Sequence, residues 1–131
     1  MSQYVQDIQL KGLSALTKFR AVILGTAAAQ TCDVPAGQNA QCIGVVQETT
    51  TAADVTAGRV VDVRVAGVTT AEADAAITIG QQLICNAATG RIGPALAATA
   101  KQYKIGIALT AASAQGDWFE MQLTPGVQID T

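Results

Sequence analysis

The chain has 131 residues, the length of one domain, and half of them are hydrophobic while 14% are charged, well below the roughly 25% usual for soluble domains. Its surface must therefore be short of charge, with some apolar area kept for partners, and at 4% aromatic residues the core has to be filled by Val, Ile, Leu and Ala. A net charge of −2 with eight dispersed Lys and Arg residues leaves no basic cluster for a row of phosphates, which excludes nucleic acid as a partner.

The N-terminal stretch Met1 to Gln9 lacks the basic start and apolar run of a signal peptide, and no apolar run reaches the roughly 20 residues that span a bilayer. A cytoplasmic product with no membrane role is expected. Residues 1–18 carry Tyr4, Val5, Ile8, Leu10, Leu13 and Leu16 at neither a two-residue nor a helical period. This pattern is read as an extended arm preceding a single β domain over 19–131. Such an arm can add a strand to a neighbour's sheet edge, which makes Tyr4, Val5, Ile8, Leu10 and Leu13 candidate interface residues. A first strand of the chain's own sheet fits the segment equally well.

Strands are expected at Phe19 to Leu24 and Thr31 to Val34, followed by a turn at Pro35-Ala36-Gly37. Ile43-Gly44-Val45-Val46 leads into a polar Ala/Thr-rich loop that closes at Gly58. From Arg59 to Val65 the alternation is strict: Val61, Val63 and Val65 share one face, Asp62 and Arg64 the other. Thr70 to Ala76 and Ala95 to Lys101 have helix-favouring composition, enough for about two turns each. Between them lie turns at Ile79-Gly80 and Thr89-Gly90 and a strand at Gln82 to Asn86. Tyr103 to Leu109 forms a strand in which Tyr103 shares a face with Ile105 and Ile107 and is expected in the core. After Gln115-Gly116, Phe119, Met121 and Leu123 alternate inward with Glu120 and Gln122 outward, and Pro125-Gly126 marks a turn. Trp118 then points away from the core, to a partner surface or across the mouth of a barrel.

Two of these stretches echo each other. Ile43-Gly44-Val45-Val46, a loop, Gly58, an alternating strand and Gly67 are matched by Ile105-Gly106-Ile107-Ala108, a loop, Gly116, an alternating strand and Gly126. One hairpin-like unit is used twice. Several short strands at this spacing predict a mainly β sandwich or closed barrel of antiparallel strands with little helix.

A search for chemistry finds little. With no histidine in the chain, Ser-His and Cys-His nucleophile pairs are absent. Glu72 with Asp74 or Asp54 could form a carboxylate pair, but these residues sit in segments that read as solvated loops. Gly90-Arg91-Ile92-Gly93 lacks the spacing of a phosphate-binding loop. Asp33, Asp62, Asp117 and Asp130 are too dispersed for a calcium loop. Cys32, Cys42 and Cys85 are an odd number at wide spacing, read as small buried hydrophobes with at least one thiol unpaired; a Cys32–Cys42 disulfide stays open. No enzyme, metal, cofactor or small-molecule substrate is expected.

The layout from Phe19 to Val127 resembles the phage capsid cement, or decoration, proteins. Its landmarks are Cys42-Ile43-Gly44-Val45-Val46, Thr56-Ala57-Gly58-Arg59-Val60-Val61-Asp62-Val63, Val65-Ala66-Gly67-Val68 and Ile79-Gly80-Gln81-Gln82-Leu83. They continue with Tyr103 to Leu109 and Gly116-Asp117-Trp118. The resemblance implies a β-barrel or tulip-shaped domain, a homotrimer on the outer surface of the virion head, and the major capsid protein as partner. No motif maps the segment from Tyr4 to Leu16 onto that family. Against this stand a tail or fibre component and a carbohydrate-binding module, the latter weakened by the scarcity of aromatic side chains.

Overall fold

The alternating valines from residue 60 onward form the longest strand, and the rest of the fold is arranged around it. The computed structural model describes residues 5–26, 28–37, 40–85, 88–95 and 102–129, with backbone alone from 126 onward. In chain order the elements are β1 (Gln6–Gly12), β2 (Ala21–Leu24), β3 (Thr31–Asp33), β4 (Gly44–Val46), α1 (Ala52–Thr56) and β5 (Val60–Glu72). They are followed by β6 (Gln82–Cys85), β7 (Ile92–Pro94), β8 (Gln102–Ala108) and β9 (Trp118–Ile129). The protein is mainly β, as the alternation predicted.

β5 serves two sheets. Its first half pairs with β1 and β4, and its second half, from Gly67 to Glu72, pairs with β9. The switch falls at Gly67, whose φ of 91° is open to glycine and costly for other residues. The Arg64 guanidinium spans the switch, donating to the Val68 carbonyl and to the Asp7 carboxylate. On one side of Gly67 the order β1-β3-β2-β4-β5 closes on itself through the β1–β5 pairing, giving a five-stranded barrel. Its interior holds Leu10, Leu16, Val22, Cys32, Val46, Val61 and Val63. On the other side β5-β9-β8-β6-β7 forms a second sheet, drawn round toward closure by a bridge between Ala73 and Ile92. Leu83, Ile92, Ile105, Phe119, Met121 and Leu123 are among the side chains that fill it.

The repeated hairpin is real. β4 pairs antiparallel with β5 and β8 antiparallel with β9. Each contains a glycine at its closest approach to the partner strand. A Cβ on Gly44 would lie 2.2 Å from the Arg64 carbonyl oxygen, and one on Gly106 2.2 Å from the Gln122 carbonyl oxygen. Gly58 and Gly116, with φ of 74° and 90°, turn the chain into the second strand of each unit.

Several expectations are corrected. Gln6–Gly12, read as part of an arm, pairs with the chain's own β5, from Gln6 opposite Ala66 to Lys11 opposite Val60; for these residues the first-strand alternative describes the structure. Thr70 to Glu72 end β5 in place of a helix, because pairing with β9 supplies hydrogen bonds that outweigh local propensity. The Ala/Thr-rich loop contains α1, capped by Thr51: its hydroxyl accepts from Asp54 N–H while the Asp54 carboxylate accepts from Thr51 N–H. Pro125-Gly126 is not a turn. β9 continues to Ile129, and the ladder slips there, Gly106 facing Leu123 but Lys104 facing Val127, so Pro125 sits in a bulge where its missing N–H is not needed. That slip also leaves Tyr103 half-buried, with Gln102, Ile105 and Ala108 turned inward instead. Asn86, residues 96–101 of the second helix-like stretch, and Asp130 lie outside the described residues.

Candidate partner-binding surface

The strongest surface feature follows from the first residue of β9. The Asp117 carboxylate accepts from the backbone N–H groups of Ser113 and Ala114, and the Asp117 carbonyl accepts from Ala73 N–H. That turn delivers Trp118 opposite Glu72. Phe119, Met121 and Leu123 point inward, so Trp118 points out and is 55% exposed. The sequence expectation for its direction is met.

Trp118 is not alone. The chain between β1 and β2 crosses the end of the barrel as a strap, held where Leu16 N–H donates to Thr50 Oγ1 and Thr50 N–H to the Leu16 carbonyl. Farther along, Phe19 N–H donates to the Val46 carbonyl, and the Phe19 carbonyl accepts from Glu72 N–H. Phe19 takes a φ of 67°, unusual for a bulky residue, and its ring meets Trp118 edge-on at 4.9 Å between centroids. Lys18 Nζ lies 5.1 Å from the Trp118 ring and 5.4 Å from the Phe19 ring, within cation–π range. Beneath them Glu72 is 8% exposed, and its Oε2 accepts from Arg20 Nε at 3.0 Å and Arg91 Nε at 2.6 Å. The result is a braced patch of two aromatic rings and three cations on elements from three parts of the chain.

Sequence reasoning singled out Trp118 but not the residues packed around it. Lys18, Phe19, Arg20 and Arg91 are brought to it by the strap and by the approach of Ala73 to Ile92, and no local period signals either. Of the other candidates, Tyr4 lies outside the described residues. Val5 is 42% exposed, while Leu10 is 6% exposed in the barrel core and so offers nothing to a partner. Ile8 and Leu13 are half-buried. Gln6 pairs at Ala66 and Trp118 at Glu72, six positions apart or roughly 20 Å along β5, so Val5 and Trp118 belong to separate places on the surface.

A second feature is an apolar groove of about 820 Å³ whose walls include Ile8, Ile23, Leu24, Cys42, Val65 and Pro125. The candidate carboxylates Glu72 and Asp74 are held by other side chains, Glu72 by two guanidinium groups and Asp74 by the Gln115 amide. Among the described residues no three His, Cys, Asp or Glu side chains could hold a metal ion together. The three cysteines are buried, and none is in a disulfide. Burial and the Asp33 carboxylate push the Cys32 thiol up to about 11; a hydrogen bond with Cys85, followed by burial, pushes the Cys42 thiol far above the ordinary thiol range. Cys32 and Cys42 lie in different cores, so the pairing left open by the sequence is not formed.

Comparison with known proteins gives a family and a similar fold. A family model described as phage cement protein matches residues 2–123. The solved head fiber gp8.5 N base of bacteriophage phi29 has a similar fold, with a TM-score of 0.66 at 14% sequence identity over 95% of this chain and 98% of that one. No curated protein matches.

Proposed function

The chain belongs to the phage cement protein family, and from that premise we propose that it binds the outer surface of the head as a trimer, clamping adjacent copies of the major capsid protein, with the Trp118 patch as the principal contact. The observation that carries the reading is the exposed, braced Trp118. A large aromatic side chain packed against Phe19 and Lys18, with little freedom left to lose, is the usual anatomy of an interface hot spot. A cement acts by mass action: a ligand that binds only the assembled lattice stabilises that lattice in proportion to its affinity. Three linked copies would add effective concentration to modest single contacts. The sparse charge and short side chains suit close packing against a rigid surface at low entropic cost.

A second reading has its own support. The N base of a head fiber shares this fold, so the protein could instead seat a longer appendage on the head. Co-sedimentation of the purified chain with expanded and unexpanded heads separates the two readings. Binding to expanded heads alone supports the cement reading. Binding to both with no gain in head stability to heating supports a fibre base, and no binding removes both. Trp118→Ala should weaken binding at least tenfold, about 1.4 kcal/mol, while Val60→Ala, at the matching position of the other hairpin, should leave it unchanged. Sedimentation equilibrium tests the trimer.

A further inference from the structure

The Trp118 patch presents hydrogen-bond donors without acceptors. Lys18 is exposed, and its ammonium group stands over the Phe19 and Trp118 rings at 5.4 and 5.1 Å. Each arginine of the chain is paired with a carboxylate. Lys18 differs: among the described residues no carboxylate lies within ion-pair distance of it, and none accepts from the Trp118 indole N–H. The backbone beneath the ammonium is fixed, since Lys18 N–H donates to Thr49 Oγ1 at 3.1 Å and Phe19 N–H to the Val46 carbonyl at 2.7 Å. The nearby acids are engaged elsewhere. Glu72 Oε2 is shared by Arg20 and Arg91, and the Asp117 carboxylate is turned to the Ser113 and Ala114 N–H groups.

We infer that the partner surface answers this patch with an acidic side chain. Its carboxylate accepts from the Lys18 ammonium and the Trp118 indole N–H, and its short apolar stem lies against the rings. The inference rests on the capsid-binding reading of Trp118 and names the chemistry of the group that meets it. In the free protein, water satisfies both donors. Seating Trp118 on another protein removes that water, and a desolvated donor left unpaired is costly, a cation most of all. A neutral acceptor would serve the indole N–H, but an ammonium group gains most from an anion, through a charge-assisted hydrogen bond. The chain as a whole carries a net charge of −2, so attraction to an acidic group has to be local to this patch.

The test is co-sedimentation of the full chain with expanded heads at low and high salt, repeated on heads whose surface carboxylates have been converted to neutral amides with carbodiimide and ethanolamine. Lys18→Gln should weaken binding to untreated heads roughly tenfold and flatten its salt dependence. Trp118→Phe, which keeps an aromatic ring without the N–H, should weaken it about fivefold. Lys11→Gln removes the same charge from β1, opposite Val60 at the other end of β5, and should leave binding unchanged. On amidated heads the unsubstituted chain should bind no better than Lys18→Gln does on untreated ones. If Lys18→Gln binds as tightly as the unsubstituted chain while Trp118→Ala is still weakened, the acidic contact is overturned and the Trp118 reading stands. Equal losses from Lys11→Gln and Lys18→Gln also overturn the contact, and full binding by Trp118→Ala removes the reading and the inference together.

Discussion

The hairpins β4–β5 and β8–β9 are built alike on the inside and differently on the outside. Gly44 and Gly106 meet their partner strands at the same distance, Gly58 and Gly116 make the same left-handed turn, and Val61 and Val63 occupy the places that Phe119 and Met121 take in the other unit. The outward residue just after each turn differs. In the barrel hairpin it is Val60, 45% exposed, and in the second it is Trp118 with Phe19 and Lys18 packed against it. Backbone contact and packing fix the interior of both copies, so only the outer face was free to become a contact surface.

Truncating the matched core positions tests that equivalence most severely. Phe119→Ala should cost about 4 kcal/mol and Val61→Ala about 2 kcal/mol, read by urea denaturation. Equal losses would mean that the two cores are not filled in the same way. Next in size are Gly44→Ala and Gly106→Ala. Each places a methyl group where a backbone carbonyl already lies, which a rotamer change cannot relieve, and about 3 kcal/mol should be lost in each. A tolerated alanine at one position alone would break the repeat as a structural unit.

The parts of this fold legible in the sequence are those set by local period. The faces of β5 before Gly67 and of β9 before Pro125 follow from strict alternation, and the hairpin echo from its glycines. What was hidden depends on partners distant in sequence. Thr70 to Glu72 look helical until β9 lies beside them. Gln6–Gly12 has no clean period because β1 is flanked by both β3 and β5 and turns only some of its side chains to the core. The patch around Trp118 was half visible: a lone tryptophan on the outward register can be read, whereas the strap that brings Phe19 and Lys18 to it cannot. Thr51-Ala52-Ala53-Asp54 did carry a capping-box signal for α1, overlooked because the helix buries no side chain and so shows no apolar stripe.

The two halves also differ in their ion pairs. Glu72, nearly buried between Arg20 and Arg91, should lose about 2 kcal/mol as Glu72→Gln in thermal melts, since two guanidinium groups are left facing each other without the carboxylate. Asp7, paired with Arg64 on the barrel, is more open to water than Glu72. Asp7→Asn should cost less than about 1 kcal/mol, and that loss should shrink further in high salt.

The smallest difference lies in the loops that join the strands of each hairpin, both organised by one aspartate. Asp117 accepts from Ser113 and Ala114 N–H, and Asp54 accepts from Thr51 N–H at the start of α1. The Thr51 backbone bond, aided by the Thr51 hydroxyl and by Arg59, holds the Asp54 carboxyl below its ordinary value of 3.8. A carboxyl lowered by folding contributes stability that is fully present above the ordinary value and is lost as the pH falls through the lowered one. Removing the cap should therefore matter at neutral pH and cease to matter in acid. NMR titration of the Asp54 carboxyl should give a midpoint below 3.8, and Thr51→Ala should move it upward, because the hydroxyl that orders this turn is gone. A midpoint unchanged by Thr51→Ala would assign the lowering to the backbone bond and Arg59 alone, leaving the hydroxyl without a part in it.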